Sequence, residues 1–148
     1  PPRSTLVPYT TLFRSRSDPN TFTLDYLTEK RDSMLHRISG YVDGSYMGTE
    51  YKIIPPQYKA ISVNDNAYCA EVRGLWKMKG GAAMGGPFVQ HTRLDETHQR
   101  IVTAEAFVYA AGQKKRNVYR QAEAILYTMK MPEEINALKE VKVTSENQ

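Results

Sequence analysis

The chain has 148 residues, 41% hydrophobic and 24% charged, with 20 bases against 16 acids and a formal net charge of +4. That is material for one globular domain with a real core; no apolar run approaches the ~18 residues of a membrane-spanning helix, and a single cysteine, Cys69, excludes an internal disulfide. Residues 1–17 hold three of the bases (Arg3, Arg14, Arg16) and no acid, which leaves 17 bases against 16 acids elsewhere and removes most of the electrostatic argument for nucleic acid.

Residues 1–17 (PPRSTLVPYTTLFRSRS) have three prolines, scattered apolar residues and no period, and lack the apolar core and cleavage site of a signal peptide. They read as a disordered or artefactual segment: a natural linker, or translated sequencing-adapter read-through, which they resemble. They are set aside from the fold, and residues 20–132 are expected to form one α+β domain, a fragment of a longer protein. Thr23 is a helix N-cap with Asp25 in the first turn. The helix runs to about Ile38 with Leu24, Leu27, Met34, Leu35 and Ile38 on one face, and Gly40 stops it. Residues 41–48 read as a loop, Thr49–Ile54 as a short strand closed by Pro55-Pro56, Tyr58–Val63 as an edge strand, and Asn64-Asp65-Asn66 as a turn.

The centre of the chain is three antiparallel strands. Tyr68–Met78 alternates with period two. KGGAAMGGP (79–87) is too rich in glycine to continue it. Phe88–Leu94 alternates weakly, residues 95–98 turn, and Ile101–Ala110 is β-branched and aromatic on both faces. Registered through the turns, one face carries Val72, Trp76, Phe88, Ile101, Phe107 and Tyr109, with Gly74, Gln90, Thr92, Thr103 and Glu105 among them. The other carries Glu71, Arg73, His91 and Arg93, with Val102, Ala104, Ala106 and Val108. Lys114–Met131 is a helix with Val118, Ala122, Ile125, Leu126 and Met129 in a stripe, Arg120 and Glu123 spaced to pair, and Pro132 at its end; residues 133–148 read as a polar tail that opens on a short frayed helix. The predicted fold is α+β: an antiparallel sheet of three to five strands covered by two helices, mainly on one face.

No catalytic or cofactor motif stands out. The 79–87 loop lacks the strand–loop–helix order and Lys-Ser/Thr of a phosphate cradle. His91, Asp95, Glu96 and His98 are close in sequence, but a strand and a turn do not bring them to one point, so no metal is assigned. Glu105 among apolar neighbours suggests a raised pKa, the mark of a functional site, or else a buried partner such as Lys77. Cys69 has no paired histidine. The preferred ligand surface is Trp76, Gln90, Thr103 and Glu105 with Gly85 and Gly86 at its edge. Glu71, Arg73, His91 and Arg93 form a charged patch or a solvated sheet face. The expected role is non-catalytic binding or structure, without cofactor or nucleic acid. The competing role is a small metal-dependent or acid/base hydrolase using Glu105 and His91, which fails if both sheet faces are covered and Glu105 is paired.

Three blocks occur in one order: Arg73-Gly74-Leu75-Trp76, Met84-Gly85-Gly86-Pro87-Phe88, and Lys115 to Thr128 (KRNVYRQAEAILYT). Gly44-Ser45-Tyr46-Met47 and Ile54-Pro55-Pro56 precede all three. Together they resemble the C-terminal part of an uncharacterised family of Bacteroidota lipoproteins, a domain of unknown function, over roughly Phe22 to Pro132. The resemblance implies a cell-envelope protein held to the membrane by a lipidated cysteine in an N-terminal part expected upstream of this chain, with an unknown protein or envelope component as partner. It transfers no catalytic residues.

Overall fold

The computed structural model describes residues 3–11, 20–64, 66–109, 112 and 114–146. Its elements are β1 (Arg3–Thr11), α1 (Leu24–Leu35), β2 (Tyr46–Glu50), β3 (Gln57–Val63), β4 (Ala67–Lys79), β5 (Gly85–Asp95), β6 (Arg100–Tyr109), α2 (Arg116–Leu126) and α3 (Pro132–Glu146). The strands form one antiparallel sheet in the order β1-β6-β5-β4-β2, with β3 also paired to β4. The thirteen-residue β4 is long enough to pair along one edge with both β3, opposite its first half, and β2, opposite its second. The α+β class and the three central strands stand as predicted, and so do the sheet faces. Gln90 lies opposite Glu105 and Phe88 opposite Phe107, one face apart from His91 opposite Ala104.

The helices take opposite faces rather than mainly one. α1 closes a core of Leu27, Leu35, Met47, Ala70, Val72, Trp76 and Phe88. α2 closes a second core, setting Ala122 and Leu126 on Val89, Ala104, Ala106 and Val108. Each face of β6 is apolar enough to need a cover, as its double-sided pattern indicated. Thr23 caps α1 as expected, accepting from the Tyr26 amide. The Asn64–Asn66 turn has both asparagines at positive φ; Asp65 lies outside the described residues.

Both ends of the chain differ from the sequence reading. Arg3–Thr11, set aside as disordered or artefactual, is strand β1, antiparallel to β6 from Arg3 opposite Tyr109 to Thr11 opposite Ile101. Thr5, Val7, Tyr9, Thr10 and Thr11 suit a strand, and Pro8 is tolerable at a sheet edge, where its missing N–H can face away from the ladder. The rest of that call, residues 12–17, lies outside the described residues. At the other end, most of the expected tail is helical. α2 ends at Leu126, short of the predicted Met131, so Pro132 does not stop it; Pro132 instead occupies the first position of α3, where its missing N–H costs nothing. Glu134, three residues after Met131, accepts from the Met131 amide at 2.7 Å, half of a capping box. Residues 147–148 lie outside the described part. β2 begins at Tyr46, earlier than the predicted Thr49–Ile54 strand, because Tyr46–Glu50 is the run that lies opposite Leu75–Lys79.

Candidate functional site

On the α1 face, Arg31 and Glu105 meet at the centre of the fold, both without solvent exposure. Arg31 sits on the apolar stripe of α1, so burying that stripe buries the guanidinium. Its Nε and Nη2 donate to the two Glu105 oxygens at 2.8 and 2.7 Å, a bidentate pair. Nη1 donates to Thr49 Oγ1 on β2 at 2.6 Å, and the guanidinium lies 3.6 Å over the Phe88 ring. Thr49 in turn donates through Oγ1 and its amide to Asp32 Oδ1. One arginine therefore ties α1 to β6 and β2, non-adjacent strands of the sheet. Burial pushes the Glu105 carboxyl up, and Arg31 opposes that. The carboxylate has no open side from which a substrate could reach it.

On the α2 face, Arg73 donates to both Glu71 oxygens, at 2.6 and 2.9 Å, and also to Glu123 of α2. His91 Nε2 lies 3.0 Å from Glu71, and its ring meets Tyr127 edge-on at 4.9 Å between centroids. Arg93 pairs with Glu134 and donates to the Met129 carbonyl at 3.2 Å. The charged patch of the sequence reading is thus a seam between sheet and helices, with Glu71, His91 and Arg93 buried and Arg73 partly exposed. Burial pushes the Glu71 carboxyl up, but the bonds from His91 and Arg73 outweigh it and hold it at about 2, against a usual 4.5. Asp95 and Glu134 are also held low, against the effect of burial, chiefly by Arg100 and Arg93 respectively. A folded pKa below the unfolded one means that unfolding takes up protons in acid. We expect urea midpoints to be insensitive to this group above about pH 5 and to fall as pH drops from about 4.5 towards 2. Glu71→Gln should flatten that fall; equal acid slopes in the two proteins would refute the assignment.

At one end of the α1 face the core opens. Ile38, Ser39, Gly40 and Tyr41 after α1, Ser45 and Met47 at β2, Trp76 and Met78 on β4, Ala82 and Met84 in the β4–β5 hairpin, and Phe107 and Tyr109 on β6 line a half-open pocket of about 570 Å³. Its lining has no acid, base or histidine. Trp76 forms the floor, with Phe107 edge-on at 5.5 Å and Tyr109 at 6.2 Å. The Trp76 indole N–H donates to the Val108 carbonyl at 3.3 Å, reaching from β4 to β6 across β5. Gly86 makes that crossing possible: a Cβ there would run into the Val108 carbonyl and stand 3.3 Å from the indole nitrogen.

The predicted ligand residues therefore separate. Trp76 faces the pocket. Gly85 and Gly86 do not line it; they are strand residues, not a phosphate loop, since β5 begins at Gly85, and Gly86 acts only by making room for the Trp76 indole. Gln90 and Thr103 are buried, Gln90 donating to Thr92 and Thr92 bonding Thr103, while Glu105 belongs to the Arg31 pair. None of these three is part of a surface, because all are buried. Glu105 and His91 point to opposite faces and cannot act on one substrate, so the hydrolase arrangement is not there. Asp95 holds Arg100 at 2.7 Å and His98 at 2.9 Å, and among the described residues no three His, Cys, Asp or Glu side chains converge as metal ligands. Burial pushes the Cys69 thiol up to about 12, far from a thiolate. The sequence reading missed Arg31, Tyr41, Met47 and Met84. The signal for Arg31 was a base on the stripe of Leu24, Leu27, Leu35 and Ile38.

A family profile described as a domain of unknown function (DUF4837) matches residues 2–128. No curated protein and no solved structure matches the chain.

Proposed function

We propose, from the premise that this chain belongs to the DUF4837 family, that it is a non-catalytic binding domain of a bacterial cell-envelope lipoprotein whose ligand enters the Trp76 pocket. The observation that carries this reading is the pocket itself: an apolar, half-open volume of about 570 Å³, within the ~300–1,000 Å³ of small-molecule sites. The reactive side chains argue the same way, since Glu105, Glu71, His91 and Asp95 are consumed by structural pairs on the two sheet faces. An enzyme would need at least one such group left at the cavity. The envelope location is supported by the RGLW, MGGPF and KRNVYRQAEAILYT blocks, and the partner is then an envelope component or protein. Membrane attachment would come through a lipidated cysteine upstream of this chain, and nucleic acid is not a partner on this reading.

Trp76 is the chain's single tryptophan, so its emission reports the pocket directly. We expect anilinonaphthalene sulfonate, a generic apolar probe, to quench or shift Trp76 emission saturably. A ligand at ~100 times its dissociation constant adds about 2.7 kcal/mol, which raises the thermal midpoint of a domain this size by several degrees. If no apolar probe alters either signal, the pocket is not a binding site.

A further inference from the structure

We infer that the Trp76 pocket takes an unbranched aliphatic chain, the acyl tail of a lipid or fatty acid; this rests on the binding reading above. The inference comes from what the pocket lacks and from what lines it. The polar atom at its floor, the Trp76 indole N–H, is already given to Val108. The backbone of its outer wall is likewise engaged: Met47 N donates to Ile38 O, Gly40 N to Ser45 O, and Met78 N to Met84 O. Ser45 Oγ donates to the Val42 carbonyl at 2.5 Å. Among the described residues the only buried side-chain polar atom without a partner is Arg93 Nε, on the opposite sheet face. A ligand that carried several amides or charges into this space would lose their hydration and meet in return only the Ser39, Tyr41 and Tyr109 hydroxyls of the lining, a cost of several kcal/mol per group left unpaired. A peptide strand is disfavoured on that ground, and a hydrocarbon chain pays nothing.

The lining points to flexibility as well as polarity. Met47, Met78 and Met84 come from three different segments and face the pocket together. Thioether side chains follow the outline of a conformationally mobile ligand better than branched ones. Half-openness then suits a ligand with one apolar end and one wet end, its head group leaving past the exposed Tyr41 and Ala82.

The test titrates Trp76 emission of this chain with octanoate, decanoate, laurate and myristate below their micelle concentrations, beside anilinonaphthalene sulfonate and an apolar hexapeptide. Burying a methylene contributes ~0.8 kcal/mol, about fourfold in affinity. We expect affinity to rise by roughly that factor per added carbon and to level off once the pocket is filled. Met84→Glu, which sets a carboxylate in the wall, should weaken laurate at least about tenfold. If that variant loses its cooperative melt, Ala82→Glu on the exposed hairpin serves instead. Naphthalene binding with no length dependence among the acids would overturn the chain proposal and leave the pocket reading standing. Silence from every ligand would overturn both. Laurate binding unchanged by a folded variant would place the chain elsewhere and also overturn it. Co-sedimentation with phosphatidylglycerol vesicles decides the source: capture assigns the chain to a membrane lipid, and binding of free acids alone assigns it to a fatty acid.

Discussion

Glu105→Ala is expected to lower the unfolding free energy by about 3–5 kcal/mol, read as a drop in the urea midpoint at unchanged slope. The substitution deletes a carboxylate and leaves the Arg31 guanidinium at zero exposure with two of its donors empty. Such a loss is a large part of a domain's ordinary 5–15 kcal/mol and corresponds to a thermal midpoint lower by on the order of 10 °C. The size of the effect does not mean that the ion pair is worth that much. Taking both charges out of water is costly, and their attraction only offsets it. Arg31→Met combined with Glu105→Leu removes both charges and keeps the volume, so it should sit within about 1–2 kcal/mol of the parent or above it. If the double variant is as unstable as Glu105→Ala, the guanidinium's bond to Thr49 and its contact with Phe88 carry the stability instead. The comparison also tests what the pair is for. Arg31 is the residue through which α1 recognises β6 and β2 together, and an apolar replacement would leave the helix free to slide along its groove.

The alternation of β4 and β5 was legible because each places apolar and polar side chains on opposite faces, so Trp76, Phe88 and Phe107 fell on the correct side. What covers the second face was not legible. Glu71, Arg73, His91 and Arg93 look like a solvated surface until their partners are known. Those partners, Glu123 and Glu134, lie 50 and 41 residues further along the chain. A charge paired at that distance has no local signature. Arg31 is the same case on the α1 face, though a base on an apolar stripe was a visible irregularity. The pocket was the least legible feature. It arises where the ends of five segments fail to close, and only Trp76, Gly85 and Gly86 hinted at it. The helical tail was readable in principle, since a proline followed by two glutamates opens helices as often as it closes them.

Gly86→Ala should cost about 1–3 kcal/mol, as overpacking does, and should change the pocket more than the size of one methyl suggests. The added Cβ has no free direction. On one side is the Val108 carbonyl, which it would overlap, and on the other the indole nitrogen of Trp76 at 3.3 Å. A flexible side chain could step aside, but a carbonyl held in a β-ladder moves only if β5 and β6 separate. The variant must therefore either open that pairing or push the indole off Val108. Either way a buried N–H loses its acceptor, which is itself worth ~1–3 kcal/mol. Water then reaches the ring. The expected signature is a red-shifted Trp76 emission together with a lower melting midpoint and weakened laurate binding. Ser62→Ala, a change of similar size on the exposed strand β3 and outside the pocket lining, should move none of the three. A Gly86→Ala protein with native emission and midpoint would mean that the sheet yields at β5. The tight crossing of Trp76 over Gly86 would then not be what holds the pocket open.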